Sequence, residues 1–240
     1  MTPPSSTIFE ILDATWPAHR LIKQGPFTLR QGKGGGKRVS AASLNDVFNE
    51  SDIENAEETM GRLSQTPLFS LRPQDRELDR HLEQRGYDVV DPCNIYGISS
   101  AMLAEVTPPR VSMFEIWEPL EIQKDIWATG GIQKARLAIM TRAIEPKTSI
   151  LMRWDNHPAG TAFVGIYEGV AMAHAIEVLE HQRGKGVATM AMHQIGRWAL
   201  KHGAPEVQVI CTKENKAANA LYTSLGMTVV GEYHYRMKGI

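Results

Sequence analysis

Between Val187 and His202 apolar residues recur at intervals of three and four, so that Ala188, Ala191, Met192, Ile195, Trp198 and Ala199 share one helix face. Gly203 and Pro205 end that helix. Upstream the period changes. Val111–Trp117 alternates apolar and polar residues like a strand, and helical stretches over Leu120–Ala128 and Ile132–Ala143 are broken by Gly130-Gly131. Ile150–Trp154, Thr161–Tyr167 and Val170–Leu179 read as a three-stranded meander. Asp155–Gly160 forms its first turn and Glu168-Gly169 its second, a two-residue hairpin signal. Downstream come a strand over Val207–Thr212, a helix over Asn215–Ser224 stopped by Gly226, and a final strand pair over Met227–Met237. The predicted order is β-α-α-β-β-β-α-β-α-β(-β).

The first hundred residues read as a smaller α+β unit. Phe27–Arg30 and Arg38–Ala42 are short strands joined by the glycine-rich Gln31–Lys37. A helix is expected over Leu44–Leu63, a strand over Leu68–Leu71, and a second helix from Pro73 to Arg85, stopped at Gly86. Tyr87–Val90 and Asn94–Ile98 suggest a closing strand interrupted at Asp91-Pro92. Val106–Arg110, with its paired prolines, is the best linker, which predicts domains at 1–105 and 111–240.

Composition narrows the function classes. Across 240 residues, 42% apolar and 22% charged residues suit a globular protein with a real core. Lys and Arg number 26 against 27 Asp and Glu, so no basic excess points to nucleic acid as a partner. No window approaches 18 uninterrupted apolar residues, so no membrane association is expected, and the first residues lack a secretion signal. The two cysteines, Cys93 and Cys211, read as reduced, buried small hydrophobes. The expectation is a soluble cytoplasmic protein.

The candidate chemistry begins at Arg183-Gly-Lys-Gly-Val-Ala188, between an apolar strand and an amphipathic helix. The first turn of a helix carries unpaired N–H groups and a partial positive charge, which favour an anion. Gly184 and Gly186 permit left-handed or close-approach backbone, and Arg183 and Lys185 add positive charge. This is a site for a phosphate or pyrophosphate. The loop is neither GxGxxG nor GxxxxGK followed by Ser or Thr, which argues against a Rossmann unit and a P-loop NTPase.

The loop resembles the signature Gln/Arg-x-x-Gly-x-Gly/Ala of the GNAT superfamily of N-acetyltransferases, with Arg183, Gly186 and Ala188 at its fixed positions. A second block, Asn215-Lys-Ala-Ala-Asn-Ala-Leu-Tyr-Thr-Ser-Leu-Gly-Met227, is similar to the family's N-x-x-A-x-x-x-Y-x-x-x-G-F, with Met227 in place of Phe. The resemblance covers roughly Val111–Lys238. It implies an α+β fold with a mixed, mostly antiparallel sheet flanked by helices. It also implies an acyl-CoA-dependent N-acyltransferase that moves an acetyl group from acetyl-CoA to a primary amine by direct attack.

The same resemblance implies roles for particular residues. Acetyl-CoA would lie between splayed strands at Val170–Leu179 and Val207–Thr212, its pyrophosphate on the Arg183, Gly184, Lys185, Gly186, Val187 and Ala188 loop. Ile176 and Val178 would offer backbone groups to the pantetheine arm, and an N–H near Val178 would polarise the thioester carbonyl. Asn215 and Ala218 would contact the CoA arm. Tyr222 would protonate the departing thiolate, for which a phenol is a suitable acid. His174 would accept the amine's proton, an imidazole titrating near neutrality. Glu177 is its rival, on the opposite face of the strand unless a bulge intervenes. No metal-ligand spacing occurs, so no metal is expected. The implied partners are acetyl-CoA and an amine acceptor; a homodimer stays open. So does a second reading, an inactive CoA-binding or sensing module that kept the phosphate loop.

Gly86-Tyr-Asp-Val-Val90 lines up with Gly226-Met-Thr-Val-Val230, each after a short helix. The first half therefore resembles a smaller, degenerate GNAT-like unit in tandem with the second. Leu82 stands where Tyr222 does, and Gln31–Lys37 opens no helix, so it reads as a flexible hairpin tip and not a phosphate site.

Overall fold

The computed structural model describes residues 5–239; residues 1–4 and 240, at the outer ends of the two expected domains, lie outside the described residues. In chain order the elements are α1 (Ser5–Thr15), β1 (Arg20–Gln24), β2 (Phe27–Gln31), a 3-10 turn at Lys37–Val39, β3 (Ala42–Leu44), α2 (Glu50–Arg62), β4 (Leu68–Leu71), α3 (Arg76–Gln84), β5 (Tyr87–Ser99) and α4 (Ser100–Ala104). Then follow β6 (Met113–Ile116), α5 (Glu121–Thr129), α6 (Lys134–Arg142), β7 (Lys147–Trp154), β8 (His157–Tyr167), β9 (Val170–Val178), α7 (Val187–Lys201), β10 (Glu206–Thr212), α8 (Lys216–Ser224) and β11 (Thr228–Lys238).

These elements form two compact units whose boundaries are not linear in the chain. The first gathers residues through Trp16, Ile95–Cys211 and Asn215–Val230; the second holds Pro17–Asn94, Thr212–Glu214 and the chain from Gly231. The prolines at 108 and 109 therefore do not divide the molecule. Two long strands do, because β5 and β11 each start in one unit and end in the other. The expected final strand pair is a single strand, β11. Gly231 takes no left-handed turn, and the chain runs on so that His234–Met237 pair antiparallel with Leu71–Leu68 of β4.

In the first unit the strand order is β5-β10-β9-β8-β7-β6. β9 pairs parallel with β10 and antiparallel with β8, and β6, β7 and β8 form antiparallel neighbours. The parallel pair requires a crossover, which α7 supplies. Val187, Ala191, Met192, Ile195, Trp198 and Ala199 of α7 are buried against Ala171, Ala173, Val207 and Val209. Each large aliphatic buried this way contributes roughly 1.5–3 kcal/mol, so packing and not helix propensity holds α7 in place. Gly196 lets α4 approach, because a Cβ there would collide with the Leu103 side chain. The meander's first turn is tighter than Asp155–Gly160: only Asp155 and Asn156 have positive φ, and His157 already pairs with Trp154.

In the second unit the order is β1-β2-β3-β4-β11, with β3 and β4 parallel and the other pairs antiparallel. Its core holds Phe27, Leu29, Ile53, Met60, Phe69, Leu71, Leu78 and Leu82. The glycine-rich connection after β2 is stitched down, in contrast to a flexible tip. Gly32 N–H donates to Gln65 Oε1 at 2.8 Å, Gln65 Nε2 donates to the Arg30 carbonyl, and Lys37 pairs with Asp91 at 2.7 Å. In both units the sheet is mixed and mostly antiparallel with helices packed against it, as the sequence led us to expect.

Candidate active site

All the catalytic and binding candidates lie in the first unit, around the crossover β9–α7–β10. The bend before α7 uses its glycines as the sequence demands: φ is +74° at Gly184 and +81° at Gly186, where a side chain would be strained. Gly186 is the N-cap of α7 and offers no side chain to satisfy the first turn, and that turn carries no acidic residue. Among the described residues, no acceptor is bonded to the amides of Gly184, Lys185, Gly186, Val187, Ala188 or Thr189. Six consecutive N–H groups are thus gathered at the positive end of a 15-residue helix. The two cations nearby are directed elsewhere. Arg183 Nε donates to the Val178 carbonyl at 3.0 Å and its Nη2 to Glu177 Oε1 at 3.2 Å, while Lys185 Nζ donates to Gln182 Oε1 at 3.0 Å.

The strands beside this loop diverge. β10 pairs with β9 only from Glu206↔Val170 to Val209↔Ala173. Beyond Ala173, β9 stays bonded to β8 through Thr161↔Glu177 and Gly160↔Val178, which leaves its other edge open. The Leu179 N–H donates to the Ala159 carbonyl on the β8 side, whereas the Val178 carbonyl takes Arg183 on the other. By the two-residue period of a strand, Val178 and Ile176 present their backbone groups to the open edge. Their side chains pack against the α7 core.

A bulge in β9 causes the divergence and rearranges the candidate bases. Ala175 has φ +49°, and the β8 register shifts between Thr161 and Phe163. His174 lies opposite Phe163 and Glu177 opposite Thr161, two positions of one β8 face, so the bulge brings His174 and Glu177 to the same side. Their surroundings differ. His174 is 3% exposed and lies under α1, its ring stacked on Trp16 at 4.9 Å and its Nε2 2.9 Å from Thr15 Oγ1. The Thr15 hydroxyl already donates to the Ile11 carbonyl, so its oxygen accepts from His174 Nε2–H. Glu177 keeps its side chain 19% exposed, with Gly130 so close that a Cβ there would collide with the carboxylate.

Tyr222 is 5% exposed on α8, its ring 5.4 Å from that of Tyr96. Burial above all, then the Cys211 thiol and the Tyr96 phenol, raises its pKa well above the ordinary phenol value. The hydroxyl has no hydrogen-bond partner among the described residues. Asn215 serves first as the N-cap of α8, its side-chain oxygen accepting from the Ala218 N–H at 3.1 Å. That amide is therefore occupied. Two further residues fix α8: Tyr96 OH donates to Asn219 Oδ1 at 2.8 Å, and Asn219 Nδ2 to the Asn215 carbonyl at 2.7 Å. Asn219 lay inside the second sequence block, but nothing local marked Tyr96.

Sequence reasoning also missed the clamp behind β9. Trp127 of α5 is fully buried and its indole N–H donates to the Ala175 carbonyl at 2.7 Å. Gln123 Nε2, one turn earlier, donates to Ser149 Oγ at 2.9 Å and Thr161 Oγ1 at 3.1 Å. Among the described residues no group of three or more His, Cys, Asp or Glu could hold a metal ion, and no helix is long and apolar enough to cross a membrane.

Comparison with known proteins agrees with this geometry. Residues 112–227 match the acetyltransferase (GNAT) family. The chain is 26% identical over 236 residues to the uncharacterized N-acetyltransferase YobR of Bacillus subtilis (strain 168), covering 94% of this chain and 95% of that protein. Among solved structures, a GCN5-related N-acetyltransferase from Kribbella flavida superposes with a TM-score of 0.73 at 18% identity, over 98% of this chain and 96% of that one. A functionally unknown conserved protein from Staphylococcus epidermidis ATCC 12228 gives 0.71 at 13% identity, over 95% and 97%. The loop, the parting strands and the family match coincide on one segment: residues 112–227 are a GNAT-family N-acetyltransferase domain.

Proposed function

We propose that the first unit transfers an acetyl group from acetyl-CoA to a primary amine. One observation carries this: six unoccupied amides at the α7 bend lie beside a strand edge that parts from its neighbour. The amides suit a pyrophosphate, and the open edge at Ile176 and Val178 suits the two amides of a pantetheine arm, which would pair with it like an added strand. Arg183 then has to leave the Val178 carbonyl. The Val178 N–H stabilises the negative charge that develops on the thioester oxygen.

The amine nitrogen bonds to the acyl carbon, the carbon–sulfur bond breaks, and the thiolate takes a proton from the Tyr222 hydroxyl. The acceptor nitrogen must shed its own proton. We assign that step to Glu177, which is accessible, in preference to His174, which is enclosed by Trp16, Phe163 and Thr15. A carboxylate at this place also favours a cationic acceptor. Cys93 and Cys211 are both buried thiols, which suits a reducing cytoplasm.

We read the second unit as a degenerate unit of the same kind. Its β3–α2–β4–α3–β5 order repeats β9–α7–β10–α8–β11. At α2, however, Asn49 and Asp52 form a reciprocal capping box and Glu50 adds a further acid, so no anion site is left.

Calorimetric titration with CoA, together with thiol release from acetyl-CoA over a panel of primary amines, tests the proposal. Wild type should bind CoA and release thiol only when an amine is present. Tyr222→Phe should keep CoA binding and lose about 10²–10⁴-fold in kcat. CoA binding without turnover of any amine would leave a binding or sensing module in place of an enzyme.

A further inference from the structure

We propose that Trp127 is the positioning residue that holds the acyl-CoA cleft open, by fixing the β9 bulge through its indole N–H; this rests on the reading of the cleft given above. The bulge needs a support. At the first position of such a bulge a left-handed residue is usually glycine, and here it is Ala175 at φ +49°, a conformation that a β-carbon disfavours. The strained residue sits two positions past Ala173, where pairing with β10 ends, and precedes both backbone positions of the open edge, Ile176 and Val178.

Trp127 is the group that meets it. A fully buried indole has one donor and must place it, and this one goes to the Ala175 carbonyl at 2.7 Å. The helix bearing it is itself fixed, since Gln123 ties α5 to Ser149 of β7 and Thr161 of β8. The clamp therefore reaches β9 from a helix tied to both β7 and β8. Without the indole donor, Ala175 is free to relax to an ordinary extended conformation. β9 then regains a regular two-residue period and zips further along β10, closing the edge that the pantetheine arm would use.

Trp127→Phe removes the donor with most of the ring retained. Because the smaller ring leaves a void at this buried site, a second variant replaces Trp127 by 3-benzothienylalanine, which exchanges only the N–H for sulfur. Both are titrated with CoA and followed by thermal unfolding. We expect CoA affinity to fall about tenfold, as the loss of one buried hydrogen bond coupled to binding would give. Adding Ala175→Gly should recover most of that loss, because glycine holds positive φ without help. A residue that merely fills the core would not be rescued in this way. If wild type binds CoA and the donor-free variants bind it as tightly, or if Ala175→Gly restores nothing, the inference is overturned. If wild type itself does not bind CoA, the assignment of the cleft has failed instead.

Discussion

Burial keeps Tyr222, the acid of the proposed transfer, protonated, at the cost of making its phenol a weaker acid. With its pKa raised above 10.0 by burial, the phenol stays protonated throughout the range in which an amine acceptor becomes neutral. The kcat profile should therefore show no alkaline limb from Tyr222 below pH ~10. The sign for stability follows from the same shift. The folded state holds this proton more tightly than the unfolded chain, so the contribution is complete below pH ~10 and is lost as pH rises through the folded value. Wild type should then lose more stability than Tyr222→Phe between pH ~9 and ~11 in denaturant titrations, and equal losses would contradict the burial argument. Tyr222 could be singled out because its sequence block fixes a helix and a spacing, both local. The choice between His174 and Glu177 was not legible. It depends on Ala175, which is neither Gly nor Asn and gives no sign in the sequence that the strand bulges there.

Among the elements the sequence reading did not foresee, which are α1, β1 and α4, α1 had its spacing present. Ile8, Ile11, Leu12 and Thr15 fall on one helical face, and the first three are buried with Thr15 in the first unit. An 11-residue helix is marginal by itself, so its existence depends on the strands it meets some 160 residues later. That meeting is specific. Trp16 stacks on His174 and the Thr15 hydroxyl accepts from its ring, so α1 fixes His174 from above. Thr15→Val keeps the side chain's shape and removes the acceptor. It should destabilise the protein by about 1–3 kcal/mol, the cost of depriving a buried donor of its partner. CoA affinity should be unchanged, because the amides at the α7 bend and the edge at Val178 are untouched. A loss of CoA binding in this variant would place α1 in the cleft itself. The α7 bend, by contrast, was readable in full, since glycine at φ +74° and +81° is a local backbone requirement that only glycine meets without strain.

At the scale of the whole molecule, the same βαβαβ order occurs twice, yet only one copy has its helix N-terminus open. In α7 the cap is Gly186 and the first turn carries no acid. In α2 the cap is Asn49, its side chain bonded to the Asp52 N–H at 3.2 Å and its own N–H to Asp52 Oδ2 at 2.9 Å. Leu82 holds the position in α3 that Tyr222 holds in α8, and it is wholly buried among apolar residues. The sequence hinted at this repeat through two glycine-led strands, but it set the boundary at a proline pair because shared strands leave no mark in composition. Capping chemistry then decides the stoichiometry. A pyrophosphate at α2 would have to displace the Asp52 carboxylate from the Asn49 N–H and the Asn49 side chain from the Asp52 N–H, against the charge of Glu50 and Asp52, while at α7 it meets donors that no acceptor holds. Calorimetry should therefore give one CoA per chain. Gly186→Val should abolish that binding altogether, since strain at φ +81° and the added side chain both act on the bend. Asn49→Ala should cost about 1 kcal/mol of stability and leave the single CoA in place. Two bound CoA molecules, or one surviving in Gly186→Val, would mean that the second unit retains a site of its own.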